Sequence, residues 1–336
     1  MQMFRNLQIL TIVIAVTIGL AVSSGYAQII PALGGQRAGT SSMTFLKIGV
    51  GARAEGMGGA FVGMAKTVDA LFWNPAGIGW IKKPQFAFHY LSWPADIHYA
   101  TLGAAIPLPN VGTIGIILGS LGTDEMIERT EYLPEGTGNT FIYSDAFAGI
   151  TYSYLFIDRF AAGVGVKLVR EDLAGIHMWG VMADLGTCYY TGYRDLTFAV
   201  TLVDFGPNLR PSGNAHVIDA DGNSLNRRYE EFSPPTIFRM GGNMSIYQNH
   251  GIKSILGIQL NHPVDTEESL SLGNESTYLE RFAIRLGYKI NHSTESWSAG
   301  AGVMVPFAGH WFRIDLAYSN MGLLSQAYRS SLTIAL

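Results

Sequence analysis

The sequence predicts an all-β fold, a 14-stranded antiparallel transmembrane β-barrel. Three observations carry this. First, polar and apolar residues alternate with a period of two along most of the chain, as a ribbon with one wet and one greasy face requires. Second, hydrophobic residues make up 48% of the chain and charged residues only 14%, where soluble domains carry about 25% charge. Third, the connections between alternating segments are short and long in turn, which is the habit of outer-membrane barrels.

The N-terminus reads as an address. Arg5 supplies a positive start, Leu7 to Leu20 an apolar run, and Gly25-Tyr26-Ala27 small residues at a cleavage site. Residues 1–27 are therefore expected to be a cleaved signal peptide. An uncleaved anchor helix fits less well, because the apolar run is short and ends in small polar residues. No cysteine follows the site, which argues against a lipid-anchored form. Beyond it, no run of about 18 apolar residues occurs, so a helical membrane bundle is excluded. A greasy exported chain then has two solutions, a buried soluble β protein or a barrel facing lipid.

The pattern of faces favours the barrel. In Arg281–Ile290, Arg281, Ala283, Arg285, Gly287 and Lys289 share one side, and Phe282, Ile284, Leu286, Tyr288 and Ile290 the other. In 311–318, Arg313 and Asp315 oppose Phe312, Ile314, Leu316 and Tyr318. The same holds in 159–170 around Lys167, in 178–190 around Asp184, in 195–204 around Thr197 and Thr201, and in 236–246 around Arg239, Asn243 and Ser245. The apolar sides carry bulky aliphatics with aromatics near the ends, as a lipid-facing band with aromatic girdles does. The segments fall at about 85–91, 97–106, 111–121, 144–156, 159–171, 178–190, 195–205, 236–246, 252–261, 268–278, 282–290, 297–306, 311–319 and 327–336. Short turns are expected at 107–110, 157–158, 191–194, 247–251, 279–281 and 307–310, and longer loops at 122–143, 172–177, 206–235, 262–267, 291–296 and 320–326. The short side is expected to face the periplasm. The final strand ends Ile334-Ala335-Leu336 without the aromatic residue common in such barrels, which reads as a weaker assembly signal.

Residues 28–84 do not alternate. They contain a Phe45-Leu46 opening, Ala52-Arg53-Ala54, Met57-Gly58-Gly59-Ala60 and Asn74-Pro75-Ala76-Gly77. Further on stand Asp204-Phe205-Gly206-Pro207, Leu286-Gly287-Tyr288-Lys289 and Asp315-Leu316-Ala317-Tyr318-Ser319. Taken together these resemble the PorV/PorQ family of outer-membrane proteins, within the wider FadL-like β-barrel superfamily. The resemblance implies that 28–84 folds inside the barrel of 85–336 as a plug, with Arg53, Met57, Gly58, Gly59, Asn74, Pro75, Ala76 and Gly77 as its motif. The residue types suit that role. Glycines let backbone pass close to lumen groups, and Asn-Pro favours a turn or helix start.

Catalytic signatures are absent: there is no G-x-S-x-G, no P-loop and no H-E-x-x-H. The eight histidines are scattered, and the lone Cys188 can form no internal disulfide. Asp219-Ala220-Asp221-Gly222-Asn223 faintly resembles a calcium loop, but its glycine sits at the fourth place rather than the sixth, so it reads as an Asp-Gly turn. No cofactor, metal or enzymatic activity is expected. With a net charge of −4, neither is a nucleic-acid partner. Arg239, Arg281, Arg285, Arg313 and Arg329 are expected to line the lumen. There they either pair with acids such as Glu55, Glu171, Asp184 and Asp315, or hold an anionic headgroup.

Two functions follow, beside a third reading as a purely structural barrel. On the PorV/PorQ side, the resemblance implies a non-enzymatic component of type IX-like secretion or surface attachment, binding partner subunits or cargo through loops 122–143 and 206–235. On the FadL side it implies a transporter of long-chain fatty acids or other hydrophobic molecules. In both, the barrel sits in the cell outer membrane against lipid. A continuous apolar pocket beside the plug would favour transport.

Overall fold

The computed structural model describes residues 38–218 and 224–336, so the signal-peptide reading of 1–27, residues 28–37 and the Asp219–Asn223 turn lie outside the described residues. The chain forms a closed antiparallel barrel. In chain order its wall strands are β1 (Gln85–Trp93), β2 (Ile97–Leu108), β3 (Gly112–Thr123), β6 (Tyr143–Ile157), β7 (Phe160–Leu173), β8 (Ile176–Tyr190), β9 (Thr197–Phe205), β12 (Ile237–Asn249), β13 (Ile252–Pro263), β14 (Ser269–Tyr278), β15 (Phe282–Ile290), β16 (Trp297–Phe307), β17 (His310–Asn320) and β18 (Gln326–Ala335). Each pairs with its predecessor, and β18 closes on β1, with Gln85 opposite Ala335 and Ser92 opposite Tyr328. The four remaining strands make two hairpins outside the wall, β4 (Met126–Ile127) with β5 (Thr140–Phe141) and β10 (Asn214–Ile218) with β11 (Ser224–Arg228). The fourteen wall strands match the expected number and order.

Alternation sets the faces. On β8, Trp179, Val181, Leu185 and Tyr189 are exposed on the outside while Met178, Met182, Asp184 and Cys188 are buried. On β15, Phe282 and Ile284 are exposed and Arg285 is buried. On β17, Ile314 and Leu316 face out and Asp315 faces in. Leaving such apolar rows exposed all round a closed wall is unstable in water and stable in lipid. Among the described residues no helix is long and apolar enough to cross a membrane; the chain crosses with strands.

The connections differ from expectation in three places. The loop expected at 172–177 is a two-residue turn, with Ala174 and Gly175 both at positive φ (49° and 84°) between β7 and β8. That conformation matches the twist of a hairpin, so the strands run further than their polar ends suggest. The loops expected at 122–143 and 206–235 are not plain coil; each carries one of the two small hairpins.

The core lies on the inward side of the wall. Residues 41–81 pack there as short turns: Thr44–Lys47, Ala52–Glu55, Ala70–Trp73 and Pro75–Trp80. Phe45, Met57, Phe61, Val68, Leu71, Trp73 and Ile78 join Tyr99, Ile117, Phe147 and Val169 of the wall in one buried cluster. Inward glycines make this approach possible. A Cβ on Gly287 would stand 2.0 Å from the Gly58 nitrogen, one on Gly273 2.3 Å from the Met57 carbonyl oxygen, and one on Gly257 2.6 Å from the Ala60 carbonyl oxygen. Gly58 and Gly59 themselves need φ of +64° and +75°, a conformation costly for other residues.

Candidate functional site

Two groups of buried charge tie the N-terminal segment to the wall, and a third ties wall strands to one another. Arg53 grips Glu275 with two hydrogen bonds, of 2.8 and 2.7 Å. Glu275 also accepts from Arg285 Nε at 2.6 Å. Arg285 meets Asp315 at 2.8 Å, an ion pair set off the hydrogen-bond direction. Asp315 accepts from Arg313 Nε at 2.8 Å, and Arg313 reaches back to Asp69 of the segment at 2.7 Å. In the second group, Lys289 lies 3.1 Å from Glu55 and also bonds Glu295, while Arg329 lies 3.4 Å from Glu295 and 3.8 Å from Glu55. In the third, Lys167 bridges Asp184 at 3.0 Å and Asp204. It does so where the β8–β9 register shifts between Ala183 and Leu185.

The motif residues of the segment serve close packing. Met57 is fully buried against Gly273 and Gly287. Asn74 caps the Pro75–Trp80 turn by accepting from the Ala76 amide at 3.1 Å, and its own amide reaches the carbonyls of Val62 and Thr187. Pro75 occupies the first position of that turn, where its missing N–H costs nothing. The Ala76 carbonyl accepts from Ser153 Oγ at 2.9 Å. At Gly77 a Cβ would lie 1.7 Å from the Ala65 carbonyl oxygen.

The five arginines separate by environment. Arg285, Arg313 and Arg329 pair with the acids above. Arg281 is a correction: it lies exposed in the 279–281 turn, where its amide donates to the Tyr278 carbonyl, and it does not face the lumen. The alternation that placed it inward ends at Phe282, where β15 begins. Arg239 is the exception. It is only 7% exposed, its NH1 has no hydrogen-bond partner, and its guanidinium stands 5.1 Å from the centre of the Trp73 ring. Among the described residues it pairs with no carboxylate.

Arg239 lies at the floor of a cavity of about 880 Å³ on the side of the wall that carries the longer loops. Phe45, Ile48, Trp93, Ile97, Leu121 and Tyr143 make one apolar wall of this vestibule. Gln259, Asn261, Ser269, Ser271, Asn291 and Thr294 make a polar one. Much of the polar wall is already satisfied: Gln259 accepts from the amides of Phe61 and Val62 and donates to Asn261, which in turn reaches Ser269 and Ser271. Trp73 and Arg239 also line a narrow second chamber with Leu71, Phe72, Tyr99 and Phe147, so they stand at the junction of the two. Trp73 is held there by an indole N–H to Val50 carbonyl bond of 2.8 Å. Sequence reasoning overlooked Trp73 as a site residue. It sits in the Asp69–Gly77 stretch, but nothing local signals that an arginine far along the chain will cover its ring.

These features define a transmembrane barrel with a vestibule whose floor holds Arg239, an arginine without an ion-pair partner among the described residues. No family model matches the sequence, and no curated protein matches it. Solved structures do match in fold. The Ralstonia pickettii toluene transporter TbuX aligns with a TM-score of 0.56 and 13% identity, over 85% of this chain and 97% of that one. The CymD monoaromatic hydrocarbon channel aligns at 0.55 with 11% identity, over 85% and 96%. A Pseudomonas aeruginosa FadL homologue aligns at 0.53 with 11% identity, over 85% and 98%. At such identities the likeness is one of fold.

Proposed function

We propose that this chain is a non-enzymatic outer-membrane uptake barrel for amphipathic anions with a long apolar body, long-chain fatty acids being the simplest such class. The observation that carries the reading is Arg239, buried over Trp73 with no ion-paired carboxylate among the described residues, at the floor of a vestibule with an apolar wall. A buried unpaired guanidinium is costly, and an anion arriving there is held by charge-assisted hydrogen bonds. In this reading residues 1–27 direct export and 28–84 act as a plug, supported by the packing of 41–81 on the inward face. The apolar body lies along the vestibule's apolar wall of Phe45, Ile48, Trp93 and Leu121. It leaves laterally into the membrane at one of the breaks in strand register, such as that between β8 and β9 beside Asp204. The fold likeness to barrels named as a monoaromatic hydrocarbon channel and a toluene transporter supports uptake of a hydrophobic molecule. The test is uptake of radiolabelled oleate by cells that lack their own fatty-acid barrel and express this chain. Uptake that fails on Arg239→Gln supports the reading, and no uptake above vector control refutes it.

A second reading, secretion or surface attachment of the PorV/PorQ kind, is favoured by the loop-side hairpins. Ile127, Tyr132 and Leu133 in the β4–β5 region are strongly exposed, Tyr132 at 91%, as are Leu323 and Leu324 of the β17–β18 connection. Exposed apolar tips on a rim suit a protein partner. Deleting 128–139 separates the two readings: it abolishes surface attachment of cargo if the second holds and leaves oleate uptake intact if the first does.

A further inference from the structure

One pair of inward charges stands apart from the three ion-pair groups. Asp145 on β6 and Glu171 on β7 are direct register partners, so their Cβ atoms lie about 4.5–5.5 Å apart. Their flanks are apolar: Leu121 is the partner of Asp145 on β3, and Met178 is the partner of Glu171 on β8. Asp145 is 2% exposed. One of its oxygens accepts from the Tyr143 hydroxyl at 2.6 Å, and the other, Oδ1, has no hydrogen-bond partner. Glu171 accepts only the Met43 amide, at 2.8 Å.

The contrast with the other inward acids is sharp. Glu55, Asp69, Asp184, Asp204, Asp265, Glu275, Glu295 and Asp315 each lie beside a lysine or arginine. Among the described residues, Asp145 and Glu171 have no such partner. Lys167 on the same strand is already committed to Asp184 and Asp204. Arg170 is paired with Asp172 near the rim. Two facing carboxylates in apolar surroundings repel each other and are poorly solvated, so they take up either a counter-charge or a shared proton.

We propose that Asp145 and Glu171, with Tyr143, form a binding site for a hard divalent cation of the calcium type in the vestibule wall. The donors are all oxygen, which suits calcium and not the softer ions that seek nitrogen or sulfur. Tyr143 lines the vestibule, so an ion reaches the pair from the loop side. Two carboxylates place the affinity in the weak range of extracellular sites, about 0.1–1 mM. The site stands whether or not the barrel carries an organic anion.

The test uses the purified full-length barrel in detergent with terbium as the probe and calcium as competitor. Aromatic excitation is expected to sensitise terbium emission, calcium to displace it, and either Asp145→Asn or Glu171→Gln to weaken binding at least tenfold. Glu231→Gln, at an exposed acid paired with Arg210, is expected to leave it unchanged. Having two variants guards against one failing to assemble, and heat-modified gel migration reports assembly of each. Absent emission in the native chain, or native affinity in both variants, overturns the proposal. So does an infrared carboxylic-acid band at neutral pH that Asp145→Asn removes, because the pair then shares a proton instead of binding a metal.

Discussion

Arg53 and Asp69, both in the N-terminal segment, are the two ends of one unbroken line of ion pairs that passes through the barrel wall. The line runs from Arg53 to Glu275, Arg285, Asp315, Arg313 and back to Asp69. Three wall strands, β14, β15 and β17, are thereby tied to two separate turns of the segment. Arg285 sits at its centre and is almost wholly buried. Removing that side chain leaves Glu275 and Asp315 with half their compensation. Arg285→Leu is expected to cost about 3–5 kcal/mol, the range for breaking a buried pair from one side. Its measure is the temperature at which the folded gel band is lost.

A second prediction separates the two faces of β15. Leu286 lies on the outer side and Gly287 on the inner. Leu286→Arg places a charge against lipid near mid-strand and is expected to destabilise by about 2–4 kcal/mol. At Gly287 a side chain meets the backbone of Met57 and Gly58. Gly287→Leu is expected to exceed the roughly 1–3 kcal/mol of ordinary overpacking, because backbone cannot step aside as a side chain can. Protease accessibility of the segment, compared with assembly of the wall, distinguishes the two effects.

The pH dependence follows from Glu295 in the β15–β16 connection. Burial alone pushes its carboxyl up, but Lys289 and Arg329 beside it overcome this and hold it well below the usual carboxylate range. A depressed folded value means that the stabilisation is full above the unfolded value. It is lost as pH falls from the ordinary carboxylate range through the folded value of about 2. Acid titration of the segment's protease protection is expected to show this loss, and Glu295→Gln to flatten it.

How much of this was legible in the sequence varies by level. The faces were, because lipid outside and packing inside impose a strict period of two: Ile284 and Arg285 or Ile314 and Asp315 can be sorted by eye. The strand count followed from the alternating segments, and the short and long connections checked it. Turn detail was not legible at 174–175, since Ala-Gly marks a tight hairpin only once the flanking polar residues Glu171 and Asp172 are known to stay in strand. The fate of each arginine was not legible either. Arg285 and Arg239 look alike in sequence, both alternating with apolar neighbours. What separates them is whether distant acids arrive across the lumen at ion-pairing distance: Glu275 and Asp315 do so for Arg285, and among the described residues none does so for Arg239.

The most direct test of the uptake account is calorimetric binding of oleate and methyl oleate to the purified barrel, native and Arg239→Gln. Oleate is expected to bind the native chain about 10–100-fold more tightly than the ester, the worth of a hydrogen-bonded charge. Arg239→Gln is expected to bring both ligands to the ester's level. Equal affinity for acid and ester in the native chain, or oleate binding unchanged by Arg239→Gln, would contradict the account.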